Sequence, residues 1–108
     1  MVKLRIDETP RGDGLCVAVA GEVDAHTAPQ LRAALLDAVS RHQSVTVDLA
    51  AVTFMDSQGL AVLLRARQKA ESRGGRLRLE RVPARVMKLL RITGLEPAFV
   101  IDSIVDGN

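Results

Sequence analysis

Aromatic residues are nearly missing from this chain: Phe54 and Phe99 are the only two among 108 residues, and there is no Trp or Tyr. Any core must therefore be built from Val, Leu, Ile and Ala. The stacking platforms that hold single-stranded nucleic acid are not available. Cysteine occurs once, at Cys16, which excludes an internal disulfide and a cysteine metal cluster. Inside the apolar run 15–20 the thiol is expected to behave as a small buried hydrophobe. No apolar run approaches the roughly 20 residues that span a bilayer. The first residues, Met1-Val2-Lys3-Leu4-Arg5, alternate like a strand and do not read as a signal peptide. A soluble cytoplasmic protein without membrane contact is the expectation. The G-x-x-x-x-G-K-[ST] phosphate loop is absent as well.

What is present suits one domain over residues 1–108. The hydrophobic fraction of 47% supports one packed core, and a chain of this length has surface enough to bury for one core only. The net charge of +2 conceals an asymmetry. Residues 65–91 hold ten Lys/Arg against Glu71 and Glu80, a balance of +8, so the rest of the chain carries −6. No nucleic-acid module accompanies the basic stretch, and its long side chains read as a solvated helix face, with no nucleic-acid partner.

Taken in order, Val2, Leu4 and Ile6 alternate with Lys3, Arg5 and Asp7, an edge strand ending at Pro10, Gly12, Asp13 and Gly14. Residues 15–20 are apolar on both faces, as in a central strand, and the short turn pairs them antiparallel with the first. Gly21-Glu22-Val23-Asp24 breaks that run. Thr27 with Gln30 three residues on forms a capping box for a helix carrying Leu31, Ala34, Leu35, Ala38 and Val39. Val45, Val47 and Leu49 alternate with Thr46 and Asp48 in a buried strand, to which Val52 and Phe54 add apolar bulk. From Gly59 the period becomes helical: Gly59, Leu63, Ala66 and Ala70 form one stripe, with Ala61, Arg65, Gln68 and Ser72 opposite. Gly74-Gly75 closes that helix. Leu77 and Leu79 mark another strand. Pro83 opens a helix with Val86, Leu89 and Leu90 inward, and residues 99–101 form a last short strand before a tail expected to fray or turn briefly helical.

The order β-β-α-β-α-β-α-β implies an α/β fold with a mixed, mostly parallel β-sheet, an N-terminal antiparallel hairpin and packed α-helices. Three loops follow strand carboxyl ends, at 21–27, 55–59 and 81–83, and should share one edge, where open α/β sheets place their chemistry. Asp24 and Asp56 would then lie near Ser57, with Arg81 on the flank.

Ser57 follows a strand and opens a helix, which admits several readings. Asp56 or Ser57 can simply cap the helix. A hydrolase nucleophile elbow, with Asp24 and His26 as partners, needs a glycine where Met55 stands and an oxyanion loop that is missing. A phosphorylation switch needs an exposed hydroxyl at a helix start, which steadies the phosphate, and acidic neighbours that make the modified edge strongly negative.

Gly-Glu-Val-Asp at 21–24, His-Thr-Ala at 26–28, the run from Val47 through Phe-Met-Asp-Ser-Gln-Gly-Leu to Leu60, and Lys-Leu-Leu-Arg-Ile-Thr-Gly-Leu at 88–95 resemble the STAS domain family, and within it the bacterial anti-sigma factor antagonists. The resemblance covers nearly the whole chain and implies a non-enzymatic STAS-like domain without cofactor or metal. In such families the unphosphorylated antagonist binds an anti-sigma factor that is also a serine kinase, freeing the sigma factor. The kinase phosphorylates the antagonist serine, and a PP2C-type phosphatase restores it. That serine matches Ser57, and the family's Gly-Glu-x-Asp loop maps onto Gly21, Glu22 and Asp24. Gln58 stands where many relatives have a second small residue. The implied partner-binding set is Asp24, Thr27, Asp56, Ser57, Gln58, Gly59, Ala61 and Leu64. Ala61 and Leu64 enter through the helix wheel, since at about 100° per residue they continue the stripe from Ser57. A STAS subunit that docks on a transporter or stress-signalling complex without phosphorylation, and a small nucleotide-binding domain, are the alternatives.

Overall fold

A computed structural model describes residues 2–105. The elements are β1 (Leu4–Arg11), β2 (Gly14–Val23), α1 (Ala28–Arg41), β3 (Ser44–Met55), α2 (Ser57–Ser72), β4 (Arg76–Glu80), α3 (Ala84–Ile92), a 3-10 turn (Glu96–Ala98) and β5 (Val100–Ile101). They form one five-stranded sheet in the order β1-β2-β3-β4-β5. β1 and β2 are antiparallel, and every later pair is parallel. Each parallel connection steps the same way across the sheet, so right-handed crossovers put the helices on one face. The core accordingly joins the inward residues of the strands (Leu15, Val17, Val45, Val47, Leu77, Leu79) to Leu31 and Leu35 of α1, Leu63 and Ala66 of α2, and Val86 and Leu90 of α3. The other face carries the charged partners Arg5, Asp7, Arg11 and Glu80.

Several local expectations are corrected. β2 is not broken at Gly21 but continues to Val23. Gly21 adopts φ 109° at an irregularity in the β2–β3 register, and a Cβ there would lie 2.2 Å from the Lys3 carbonyl, so only glycine lets β1 approach. Val2 lies outside β1 and is exposed. Phe54 is 45% exposed, because the same irregularity turns the end of β3 and buries Val52 and Met55 instead. Asp48, expected on a polar face, is buried: its carboxylate accepts from Arg81 Nη2 (2.5 Å) and from the Ala50 N–H (3.0 Å). In α3 Met87 is buried while Leu89 is only half-buried. Residues 103–105 form neither a helix nor a frayed end, for Ile104 bridges to Val82 in parallel and the Val105 N–H donates to the Val82 carbonyl. The tail beyond 105 lies outside the described residues.

Candidate functional site

β3 pairs with β4 only over Ser44–Asp48, but with β2 as far as Met55. The β2–β3 pair therefore projects roughly 20 Å beyond the end of β4 at about 3.3 Å per residue. This corrects the expectation of one common edge for three loops. Two loops share the projecting tip, and the third, with Arg81, is held back at Asp48 by a guanidinium–carboxylate pair. Arg81 does not flank Ser57. The side chain that reaches the end of β3 is Arg85, which donates to the Thr53 carbonyl.

At the tip Val23 and Met55 are register partners, and the Asp56 N–H donates to the Val23 carbonyl at 3.2 Å. The loops that follow are built alike. Asp24 Oδ1 accepts from the backbone N–H groups of His26 (2.9 Å) and Thr27 (3.1 Å), and Asp56 Oδ1 accepts from the N–H of Gln58 (2.9 Å). Asp56 is thereby the N-cap of α2, and Ser57 is the first helical residue. The cap reading of the Asp-Ser pair holds for Asp56 and leaves Ser57 without that role. Ser57 is exposed, and among the described residues nothing hydrogen-bonds its hydroxyl.

The capping box at Thr27 is not formed. The Thr27 hydroxyl turns back, donating to the Glu22 carbonyl (2.8 Å) and accepting from the Asp24 N–H (3.0 Å), while Gln30 Nε2 reaches the Leu4 carbonyl at 3.5 Å. Thr27 is buried and fixes the loop from within. His26 is exposed, and it is its backbone that meets Asp24, so the hydrolase arrangement has no oriented base.

Gly59 is also buried. A Cβ on it would come within 2.7 Å of Met55 Cγ and 2.8 Å of Val23 Cγ1, so glycine lets the first turn of α2 close onto the strand ends. Its part in the tip is packing, not exposed contact. Asp24 and Asp56 are half-buried, Ser57, Gln58 and Ala61 are exposed, and Leu64 is half-buried against the core. Leu64 thus sits between the solvent-facing position expected from the helix wheel and a core position.

Two residues of the tip escaped sequence reasoning. Lys3 Nζ lies 2.5 Å from Asp24 Oδ2 and 3.8 Å from Glu22 Oε1. Lys3 holds the Asp24 carboxyl down to about 2, helped by the N–H groups of Thr27 and His26 and opposed by partial burial. The antiparallel register that sets Leu4 opposite Gly21 carries the signal for this pair. Phe54, aligned with Glu22, is the second. Elsewhere Cys16, Asp48 and Glu80 place ligand atoms within 4.8 Å of one another. Arg11 and Arg81 already pair with the two carboxylates, so that cluster is charge-compensated by guanidinium groups.

The family model described as "Mlab, STAS domain" matches residues 6–102. The chain is 30% identical to the anti-sigma-B factor antagonist of Bacillus subtilis over 98% of its own length and 97% of that protein's. An anti-sigma factor antagonist from Mycobacterium paratuberculosis superposes with a TM-score of 0.82, at 26% identity, over 91% of this chain and 84% of that one. The antagonist SpoIIAA superposes in its unphosphorylated form with a TM-score of 0.75 (23% identity, 90% of this chain and 87% of that one) and in its phosphorylated form with 0.69 (22%, 91% and 89%), which speaks for the fold.

Proposed function

Because the chain belongs to the STAS domain family, we propose that it is an anti-sigma factor antagonist whose binding tip is switched off by phosphorylation of Ser57. Its partner would be an anti-sigma factor with serine kinase activity, and a PP2C-type phosphatase would reverse the modification in the cytoplasm. No helix among the described residues is long and apolar enough to cross a membrane.

One observation carries this reading. The Ser57 hydroxyl stands free and exposed at the head of α2, while the neighbouring Asp56 does the capping. A phosphoacceptor must be reachable and dispensable to the fold, and Ser57 meets both requirements. The helix N-terminus steadies the added group, whose charge of about −1.5 to −2 would fall beside Asp24 and Asp56 and oppose any partner fitted to the unmodified edge. Asp24, Asp56, Ser57, Gln58, Ala61 and Leu64 would supply the surface, with Thr27 and Gly59 shaping it from beneath. Phe54 adds an exposed aromatic, the residue class enriched where interfaces bury most. Mass spectrometry of the protein isolated from its own cells tests the reading. One phosphate on Ser57 is the expected result, and an unmodified Ser57 under every condition in which the partner is released would favour the STAS subunit that docks without a phosphate cycle.

A further inference from the structure

Beside the tip, α1 and α2 enclose a trough made of two adjoining hollows that share Arg65 and Gln68. Half-buried Leu64 lines the hollow nearer Ser57 and half-buried Leu36 the other, giving the trough an apolar component. Arg32 on α1 and Arg65 and Lys69 on α2 are its charged lining, and Ser40, Gln58, Gln68 and Ser72 add uncharged polar groups. None of these three cations has a carboxylate within ion-pair distance among the described residues, and no acidic residue lines either hollow. The two helices contain only two carboxylates. Asp37 is committed to Arg41, and Glu71 lies beside Arg67. A partly apolar trough edged by unopposed positive charge is complementary to an amphipathic helix with leucine-like residues on one face and acids along its flanks.

We propose that the α1–α2 trough docks an acidic amphipathic helix of a protein partner, with Arg32, Arg65 and Lys69 selecting its charge. The proposal deepens the partner-binding reading above, and rests on it only for the partner being a protein. Nucleic acid suits the trough less well, since aliphatic side chains fill the place where stacking aromatics would be needed. Phosphate on Ser57 would add negative charge at the head of the trough and oppose the same acidic helix.

The test titrates the isotope-labelled full chain with a synthetic helical peptide bearing leucines on one face and glutamates on its flanks, against a twin with lysine replacing glutamate. Amide shifts confined to residues 28–40 and 58–72 are expected, with the lysine peptide weaker by about tenfold or more. Arg32→Glu combined with Arg65→Glu should reverse the preference, and Lys69→Glu alone should weaken the glutamate peptide, with circular dichroism reporting that each variant is folded. Equal affinity for both peptides, shifts elsewhere on the chain, absence of shifts at millimolar peptide, or displacement by duplex DNA would overturn the proposal. Ser57→Asp separates the two ideas: if it binds the glutamate peptide undiminished while the arginine variants do not, the trough stands and the switch at Ser57 falls.

Discussion

Lys3, one residue before β1, places its ammonium 2.5 Å from the Asp24 carboxylate, so the edge strand fixes the loop that lies beside Ser57. Lys3 is exposed and Asp24 half-buried, and the value of the pair lies in holding a shape more than in overall stability. Lys3→Met should leave the melting temperature nearly unchanged and increase backbone motion at residues 24–27, read by amide relaxation.

The same pair gives the loop a pH dependence. Asp24 is held down to about 2 from an ordinary 3.8, chiefly by Lys3. A carboxyl with a lowered folded value contributes fully above its unfolded value and loses that contribution as the pH falls through the folded one. The amides of His26 and Thr27 should therefore keep their native shifts down to about pH 3 and change through a midpoint near the folded value of about 2. A midpoint near the ordinary aspartate value would contradict the pairing.

Gly59→Ala adds a methyl where Met55 and Val23 stand. The Met55 chain can yield, but Val23 is branched and fully buried. A loss of about 1–3 kcal/mol in denaturant unfolding is expected, the usual range for overpacking.

Cys16 should resist thiol reagents in the native protein. Arg11 Nη2 approaches its sulfur at 3.5 Å and favours the thiolate, but burial outweighs that pull and moves the thiol up. Labelling should track global unfolding, and fast labelling of folded protein would contradict the placement of β2 in the sheet.

Much of this arrangement was legible from periodicity and turn chemistry. The alternation in 45–49, the helical stripe of Gly59, Leu63, Ala66 and Ala70, and the Asp-Ser boundary are local signals, and the elements follow them. The misreadings came from pairing, which sequence periodicity does not encode. Alternation alone places Phe54 in the core, but the β2–β3 irregularity turns it outward. Level strand ends would put Arg81 on the flank of the site, whereas β4 stops opposite Asp48. Thr27 carried a capping-box pattern, but its hydroxyl found the Glu22 carbonyl, an acceptor brought near by the turn after β2. Lys3 was invisible for the same reason, being 21 residues away from Asp24 along the chain.

The central claim is that charge on Ser57 decides whether the tip can bind. Titration calorimetry of the proposed anti-sigma factor kinase with Ser57→Ala and Ser57→Asp tests it most directly. Both variants should fold as the parent does, since the hydroxyl is exposed and Asp56 retains the cap. Ser57→Ala should bind like the parent and accept no phosphate, and Ser57→Asp should bind at least about tenfold more weakly. Equal affinity of the two variants would contradict the account.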